Sequence, residues 1–353
     1  MFKTVFIMLG EKCNFSCRYC LQHPIMTEQL ANKINPDLAP YLRKLAENNR
    51  LHVMFYGGEP LLYFQNIVEI HQQLKDLNCS FGIISNGALL TDQMVRYIHD
   101  NNIGVSISND GPDTELFRNK NVLEDARLLA KYHRLGANVS GVINAKNSDI
   151  RKLWCYWYEK GFDVERTNID LIMDSGLTNK ELTEFDWEQW ESQMQDFTKK
   201  VVESMLTGRP TVEMYLSNQY FGKLARIIPG RSDEEISESC STKCGVGIST
   251  LNVDLAGDCY LCHNSSQKIG TIYDSYEQLV ENFKPYDIYN KSEKCQNCPV
   301  FELCNGGCIL VPQEARDRYY CRMMQTYFGA FIKAYIEAAN AMENKVEECE
   351  QSE

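Results

Sequence analysis

The sequence predicts an α/β fold in which a parallel sheet is covered by helices and a cysteine-rich region follows. Three observations carry this. Short apolar runs rich in β-branched and aromatic residues alternate with amphipathic stretches about six times between Thr4 and Met173. Such alternation builds a parallel sheet with helices outside it. The first run leads straight into three close thiols, Cys13, Cys17 and Cys20. From Cys240 the composition changes, and nine more thiols follow by Cys321.

The 353 residues suggest one large domain or two, and 44% hydrophobic residues is ordinary for a globular chain. No apolar run is long enough to span a bilayer. Met1 to Leu9 lacks the apolar core and cleavage site of a signal peptide, so a cytoplasmic location is expected. Fifteen cysteines is an odd count without an export signal, which favours metal binding over a disulfide framework. A net charge of −12 argues against wide contact with nucleic acid.

Thr4 to Leu9 reads as a buried strand that delivers the chain into the first thiols. Pro40 to Asn49 reads as a helix with proline in its first turn. Leu51 to Tyr56 is the second strand and runs into Gly57-Gly58-Glu59-Pro60, where two glycines allow close backbone approach to a ligand. Ile67 to Leu77 reads as helix, and Ser80 to Ile84 as the third strand, ending at Ser85-Asn86-Gly87. Thr91 suits an N-cap. Ile103 to Ser108 is the fourth strand, with the exit Asn109-Asp110-Gly111-Pro112. A helix over Val122 to Leu135 stops at Gly136, and Asn138 to Ile143 is the fifth strand. Ser148 caps a helix to Tyr158 whose Trp154 and Trp157 suit the core, and Thr167 to Met173 is the sixth strand. Leu177 to Asp186 reads as a boundary loop and Trp187 to Leu206 as a long helix. The acidic run Arg231 to Glu238 is expected to be exposed. The divisions expected are 1–180, a bridging helical region 181–239, and 240–353.

Cys13-x3-Cys17-x2-Cys20 places three thiolates on one short loop. They can hold three irons of a four-iron cluster and leave the fourth open to a ligand, or form a zinc knuckle. Near the C terminus, Cys295-x2-Cys298-x5-Cys304-x3-Cys308 has loops that clip adjacent metal positions, with zinc ribbons as the alternative. Asp254 to Gly257 reads as a hairpin turn between Thr250–Val253 and Cys259–Cys262. The helix over Met323 to Met342 is apolar on one face and should pack on the barrel or a partner. The acidic tail from Glu343 reads as frayed. Cys79 and Cys155 read as buried small hydrophobes. Asp110, Glu115 and Asp170 lie near strand exits as candidate bases, and each reads more simply as an exposed turn carboxylate.

The first thiol loop, with Tyr19 before its last cysteine and Gly-Gly-Glu-Pro after the next strand, resembles the radical S-adenosylmethionine (SAM) superfamily. Ser106-x-Ser108-x-Asp110-Gly-Pro resembles the corresponding turn of its peptide-modifying members, with Asn109 where an apolar residue is usual. The C-terminal thiols resemble the SPASM extension of peptide maturases. The resemblance implies a partial (β/α)6 TIM-like barrel with a C-terminal auxiliary-cluster domain. It implies SAM on a [4Fe-4S] cluster at Cys13, Cys17 and Cys20, contacted by Tyr19, Gly57, Gly58, Glu59, Ser106, Ser108 and an arginine, Arg118 or Arg127. It implies two auxiliary [4Fe-4S] clusters, one on Cys240, Cys244, Cys262 and Cys308, the other on Cys295, Cys298, Cys304 and Cys321. Cys259 is the alternative to Cys240.

The activity implied is reductive cleavage of SAM to a 5′-deoxyadenosyl radical that abstracts hydrogen from a ribosomally made peptide. An anaerobic sulfatase-type maturase forming formylglycine on a protein is the rival. A non-catalytic iron–sulfur or zinc protein is the rival of another class, and it leaves Gly57-Gly58-Glu59 beside the thiol loop without a use. An electron donor such as flavodoxin or ferredoxin is implied. Because the first strand starts at Thr4, leader recognition is expected from a separate protein or another surface.

Overall fold

The computed structural model describes residues 1–22, 33–174, 180–218, 244–288 and 292–350. Six strands alternate with helices: β1 (Thr4–Met8), α1 (Leu38–Asn48), β2 (Leu51–Tyr56), α2 (Phe64–Leu74), β3 (Cys79–Ser85), α3 (Asp92–Asp100), β4 (Gly104–Ser108), α4 (Ala126–Leu135), β5 (Asn138–Ile143), α5 (Ile150–Glu159) and β6 (Asn168–Leu171). All six are parallel neighbours in order. This is the partial-barrel arrangement expected.

After α6 (Trp187–Thr207) come β7 (Thr250–Asp254), β8 (Asp258–Tyr260), β9 (Lys268–Thr271), α7 (Tyr276–Phe283) and a long C-terminal helix, α8 (Cys321–Glu350). β7 pairs in parallel with β1, with Thr4 opposite Thr250, and β8 and β9 add antiparallel strands beyond it. One nine-stranded sheet therefore runs β6-β5-β4-β3-β2-β1-β7-β8-β9. The C-terminal region is stitched to the barrel by backbone hydrogen bonds and does not merely lean on it.

Side-chain alternation sorts the sheet's faces. In β4 to β6, Val105, Ile107, Val139, Ile169 and Leu171 are buried under helices. Their alternates, Ser106, Ser108, Ser140, Asn168 and Asp170, stay half-buried or open on the other face. A strand with one apolar and one polar row must put the polar row toward something wet or toward a ligand.

Several elements differ from the sequence reading for local reasons. α2 starts three residues before Ile67, because Glu59 caps a 3₁₀ turn over Pro60–Tyr63 that runs directly into it. The helix expected from Val122 splits: Val122–Glu124 is a 3₁₀ turn, and Asp125 caps α4 by accepting from the Arg127 and Leu128 amides at 3.1 and 3.3 Å. Asp149, not Ser148, caps α5. Trp154 and Trp157 are in the core as expected. α8 continues to Glu350, through most of the tail read as frayed. It packs on α6, with Phe331 edge-on to Phe197 at 5.0 Å and Thr198 donating to the Ala330 carbonyl at 3.2 Å. Arg231 to Glu238 lies outside the described residues.

Candidate active site at the carboxyl end of the strands

A cavity of about 420 Å³ opens where the polar rows of β4 to β6 end, within the range of cofactor pockets. Its walls combine Cys13, Cys17 and Cys20, the Gly57-Gly58-Glu59 turn, Ser106 and Ser108, Ser140, and Asp170. The sequence-predicted cofactor residues thus meet in one place, with the exception of Arg127, which is exposed on α4.

The thiol loop has no regular structure and is held by its neighbours. Its Arg18 amide donates to the Phe117 carbonyl at 2.9 Å, and the Cys20 amide to the Cys17 carbonyl at 3.1 Å. Asn86, just past β3, donates to Asn14 Oδ1 at 2.8 Å and lies 3.9 Å from Cys13 Sγ. The strand exit at Gly58 clamps the entry to the loop: the Gly58 amide donates to the Gly10 carbonyl and the Glu59 amide to the Lys12 carbonyl, both at 2.9 Å. A Cβ on Gly58 would meet the carbonyl oxygens of Glu11 and Lys12 at 2.4 Å. That approach is why glycine stands there.

Glu59 is 1% exposed. Its carboxylate accepts from the Leu61 amide at 3.0 Å, the Ser85 hydroxyl at 2.7 Å and the Asn86 amide at 2.8 Å. Burial pushes its carboxyl up, and these three bonds pull the other way. Its side chain therefore ties the ends of β2 and β3 together at the cavity wall, in addition to any ligand it meets. Ser85, at the third strand exit, holds this carboxylate.

Asp110 departs most from the sequence reading. It is 1% exposed, not an exposed turn carboxylate. Oδ1 accepts from the Val142 amide at 2.9 Å. Oδ2 accepts from Arg118 Nε at 3.0 Å and from the Tyr19 hydroxyl. The Arg118 guanidinium lies over the Tyr19 ring at 5.4 Å. Glu115 is exposed and accepts from the Asn121 amide, as the bland reading has it. Asp170 lines the cavity and accepts from Asn168 at 2.9 Å.

The thiols suit iron. Burial pushes Cys13 up and Cys17 up to about 11, against the pull of Arg118 on Cys17. Thiolates in such a wall need a strong cation to form, which a bound cluster provides. Among the described residues no three His, Cys, Asp or Glu side chains converge on a single-ion site.

Residues 7–145 match the radical SAM superfamily profile. The chain carries a radical SAM domain over these residues. It is 24% identical to a cysteine-type anaerobic sulfatase-maturating enzyme of Clostridium perfringens, over 93% of this chain and 95% of that one. It is 23% identical to the radical SAM cyclopropyl synthase TigE of Paramaledivibacter caminithermalis, over 87% of this chain and 68% of that one. The fold matches the solved structure of native anSMEcpe with bound AdoMet and Cp18Cys peptide, with a TM-score of 0.67 at 20% identity, covering 96% of this chain and 99% of that one.

Beyond the radical SAM domain the chain has two further groups of thiols. Cys295, Cys298, Cys304 and Cys321 all line a second cavity of about 320 Å³, the four expected together. Cys244 and Cys308 both lie close enough to Cys262 to raise its thiol further, after burial has already done so. Cys240 lies outside the described residues. Cys259 faces the core among Asp254, Asp274 and Asp258, and is pushed up to about 12, chiefly by burial. Cys79 and Cys155 are half-buried and pack against the core edge.

Sequence reasoning missed His263. It follows Cys262, enters the main cavity, stacks on Phe6 at 4.4 Å and meets Tyr56 edge-on at 4.5 Å. Its Nδ1 pairs with Asn252 Oδ1 at 3.2 Å, and Gln22 donates to its carbonyl at 2.8 Å. A lone histidine has no spacing to betray it; only the pairing of β7 with β1 brings it here. Burial pulls His263 down to about 4, so it is neutral at pH 7. Between pH 6.5 and 4 the unfolded chain takes up this proton and the folded one does not, so stability falls as pH falls. The expected loss is about 1–2 kcal/mol, less than the full shift would give because the ring's edge opens on the cavity. The Tm advantage of wild type over His263→Gln should shrink between pH 7 and pH 5; a gap independent of pH contradicts this.

Proposed function

We propose that this radical SAM enzyme matures a ribosomally made peptide, installing a crosslink or another modification. The observation that carries this is the meeting of three thiols, the glycine turn and the serine row around one cavity. SAM bound to a reduced cluster there would supply a 5′-deoxyadenosyl radical able to take hydrogen from an unactivated carbon. The chain's own part is to hold, orient and exclude water. Cys13, Cys17 and Cys20 would ligate the cluster. Gly57 and Gly58 would let backbone approach SAM, Glu59, which fixes that turn, would meet its amino group, and Ser106, Ser108, Arg118 and Tyr19 would help hold it.

Cys240, Cys244, Cys262 and Cys308 would bind one auxiliary cluster and Cys295, Cys298, Cys304 and Cys321 the other. The convergence of seven of these eight thiols in two groups supports that assignment. A flavodoxin or ferredoxin would supply the electron. The parts are a barrel over 1–180, a bridge over 181–239 and an auxiliary region over 240–353. Among the described residues no helix is long and apolar enough to cross a membrane.

Anaerobic reconstitution tests this. Three clusters predict about twelve irons and twelve sulfides per chain, with 5′-deoxyadenosine formed on reduction. About four irons with zinc would reduce the C-terminal region to a zinc module, and no iron would end the proposal. A second reading, a sulfatase-type maturase making formylglycine, is favoured by the sulfatase-maturating relative, which matches along almost its whole length. Formation of an aldehyde on a sulfatase-derived Cys or Ser peptide would select it.

A further inference from the structure

The most heavily bonded charge pair beside the cavity is Asp110–Arg118, and its reach extends to the thiol loop. The Asp110 side chain is fully buried and that of Arg118 is 10% exposed. Asp110 is itself fixed by the Val142 amide, by Tyr19 and, through its own amide, by the Thr114 hydroxyl at 2.8 Å. It grips Arg118 by Nε, which orients the rest of the guanidinium. Nη1 then lies 3.9 Å from Cys17 Sγ, within reach of a weak N–H···S bond. Two of the three guanidinium nitrogens thus face Asp110 and Cys17.

We propose that Arg118, held by Asp110, is a positioning residue that sets the reduction potential of the cluster at Cys13, Cys17 and Cys20. The proposal rests on the radical SAM reading of that loop. A cluster that takes an electron becomes more negative. A buried cation donating to one of its thiolates stabilises the reduced form, and a buried anion behind that cation offsets the effect. Hydrogen bonds to cluster sulfurs and local net charge are the protein's levers on such potentials. The two residues therefore act with opposite signs, which simple loosening of the loop would not produce.

The test is a redox titration of the reconstituted full chain, following the electron paramagnetic resonance signal that SAM perturbs. Arg118→Gln should lower the reduced-to-oxidised ratio at a fixed potential about tenfold, a shift of about 59 mV to the negative for one electron. Arg118→Lys, which keeps the charge, should shift it less. Asp110→Asn should move it the other way. An unchanged potential in Arg118→Gln with its irons intact overturns the proposal, as do shifts of the same sign in Arg118→Gln and Asp110→Asn. If SAM binding weakens in Arg118→Gln while the potential stays, Arg118 is a SAM ligand and nothing more. A wild-type chain without any SAM-responsive cluster signal would instead bring down the underlying reading.

Discussion

Changing Cys13, Cys17 and Cys20 together to alanine should abolish reductive cleavage of SAM and lower bound iron by about four per chain, from about twelve to about eight. The reasoning is local. The loop is held by backbone bonds to Phe117 and within Cys17–Cys20, and by Asn86 bonding to Asn14, none of which uses a thiol. The barrel core is built from Val5, Ile7, Val53, Phe55 and their neighbours, and these three cysteines are not in it. The fold should survive with its circular dichroism unchanged, while 5′-deoxyadenosine formation drops to the uncatalysed background. The eight irons that remain should stay with the C-terminal thiols, since the second cavity has its own four. A variant that keeps all its iron, or still cleaves SAM, would show that the cluster sits elsewhere.

How much of this was legible in the sequence depends on how local each signal is. β2, β5 and the Thr91 cap were readable because alternation and a single hydroxyl decide them. The cluster loop and the Gly57-Gly58-Glu59 turn were readable because their residues are neighbours in sequence. What was not legible depends on distant pairing. The β1–β7 ladder joins residues about 250 apart, and it brings His263 against Phe6 and Tyr56. Asp110 looked like any turn carboxylate until its partners came from β5, from the thiol loop and from the segment after β4. Cys259 and Cys262 lie three apart on one hairpin, yet one faces the core and the other two thiols. Spacing alone left Cys259 as an alternative to Cys240 in that group; the facing of β8, which turns Cys259 into the core, speaks against it.

Gly58→Ala is expected to cost at least about a hundredfold in SAM cleavage, the penalty of displacing a reacting group by about 1 Å. The added methyl would fall 2.4 Å from two backbone oxygens, those of Glu11 and Lys12, and 2.6 Å from the Lys12 carbonyl carbon. Backbone cannot swing aside as a side chain does, so the segment leading into Cys13 must move. It is the same segment that the Gly58 and Glu59 amides hold, so relief of the clash breaks the bonds that align it. Gly136→Ala supplies the control. Gly136 ends α4 at φ 56, with nothing within 4 Å of a Cβ there. That substitution bears only the left-handed backbone penalty, about 1 kcal/mol, and should lower Tm slightly with cleavage intact. If the two variants lose activity alike, the glycine turn has no special hold on the cluster loop. If Gly58→Ala alone fails while it retains its C-terminal iron, the contact between the second strand's exit and residues 10–12 is what positions the cluster for SAM.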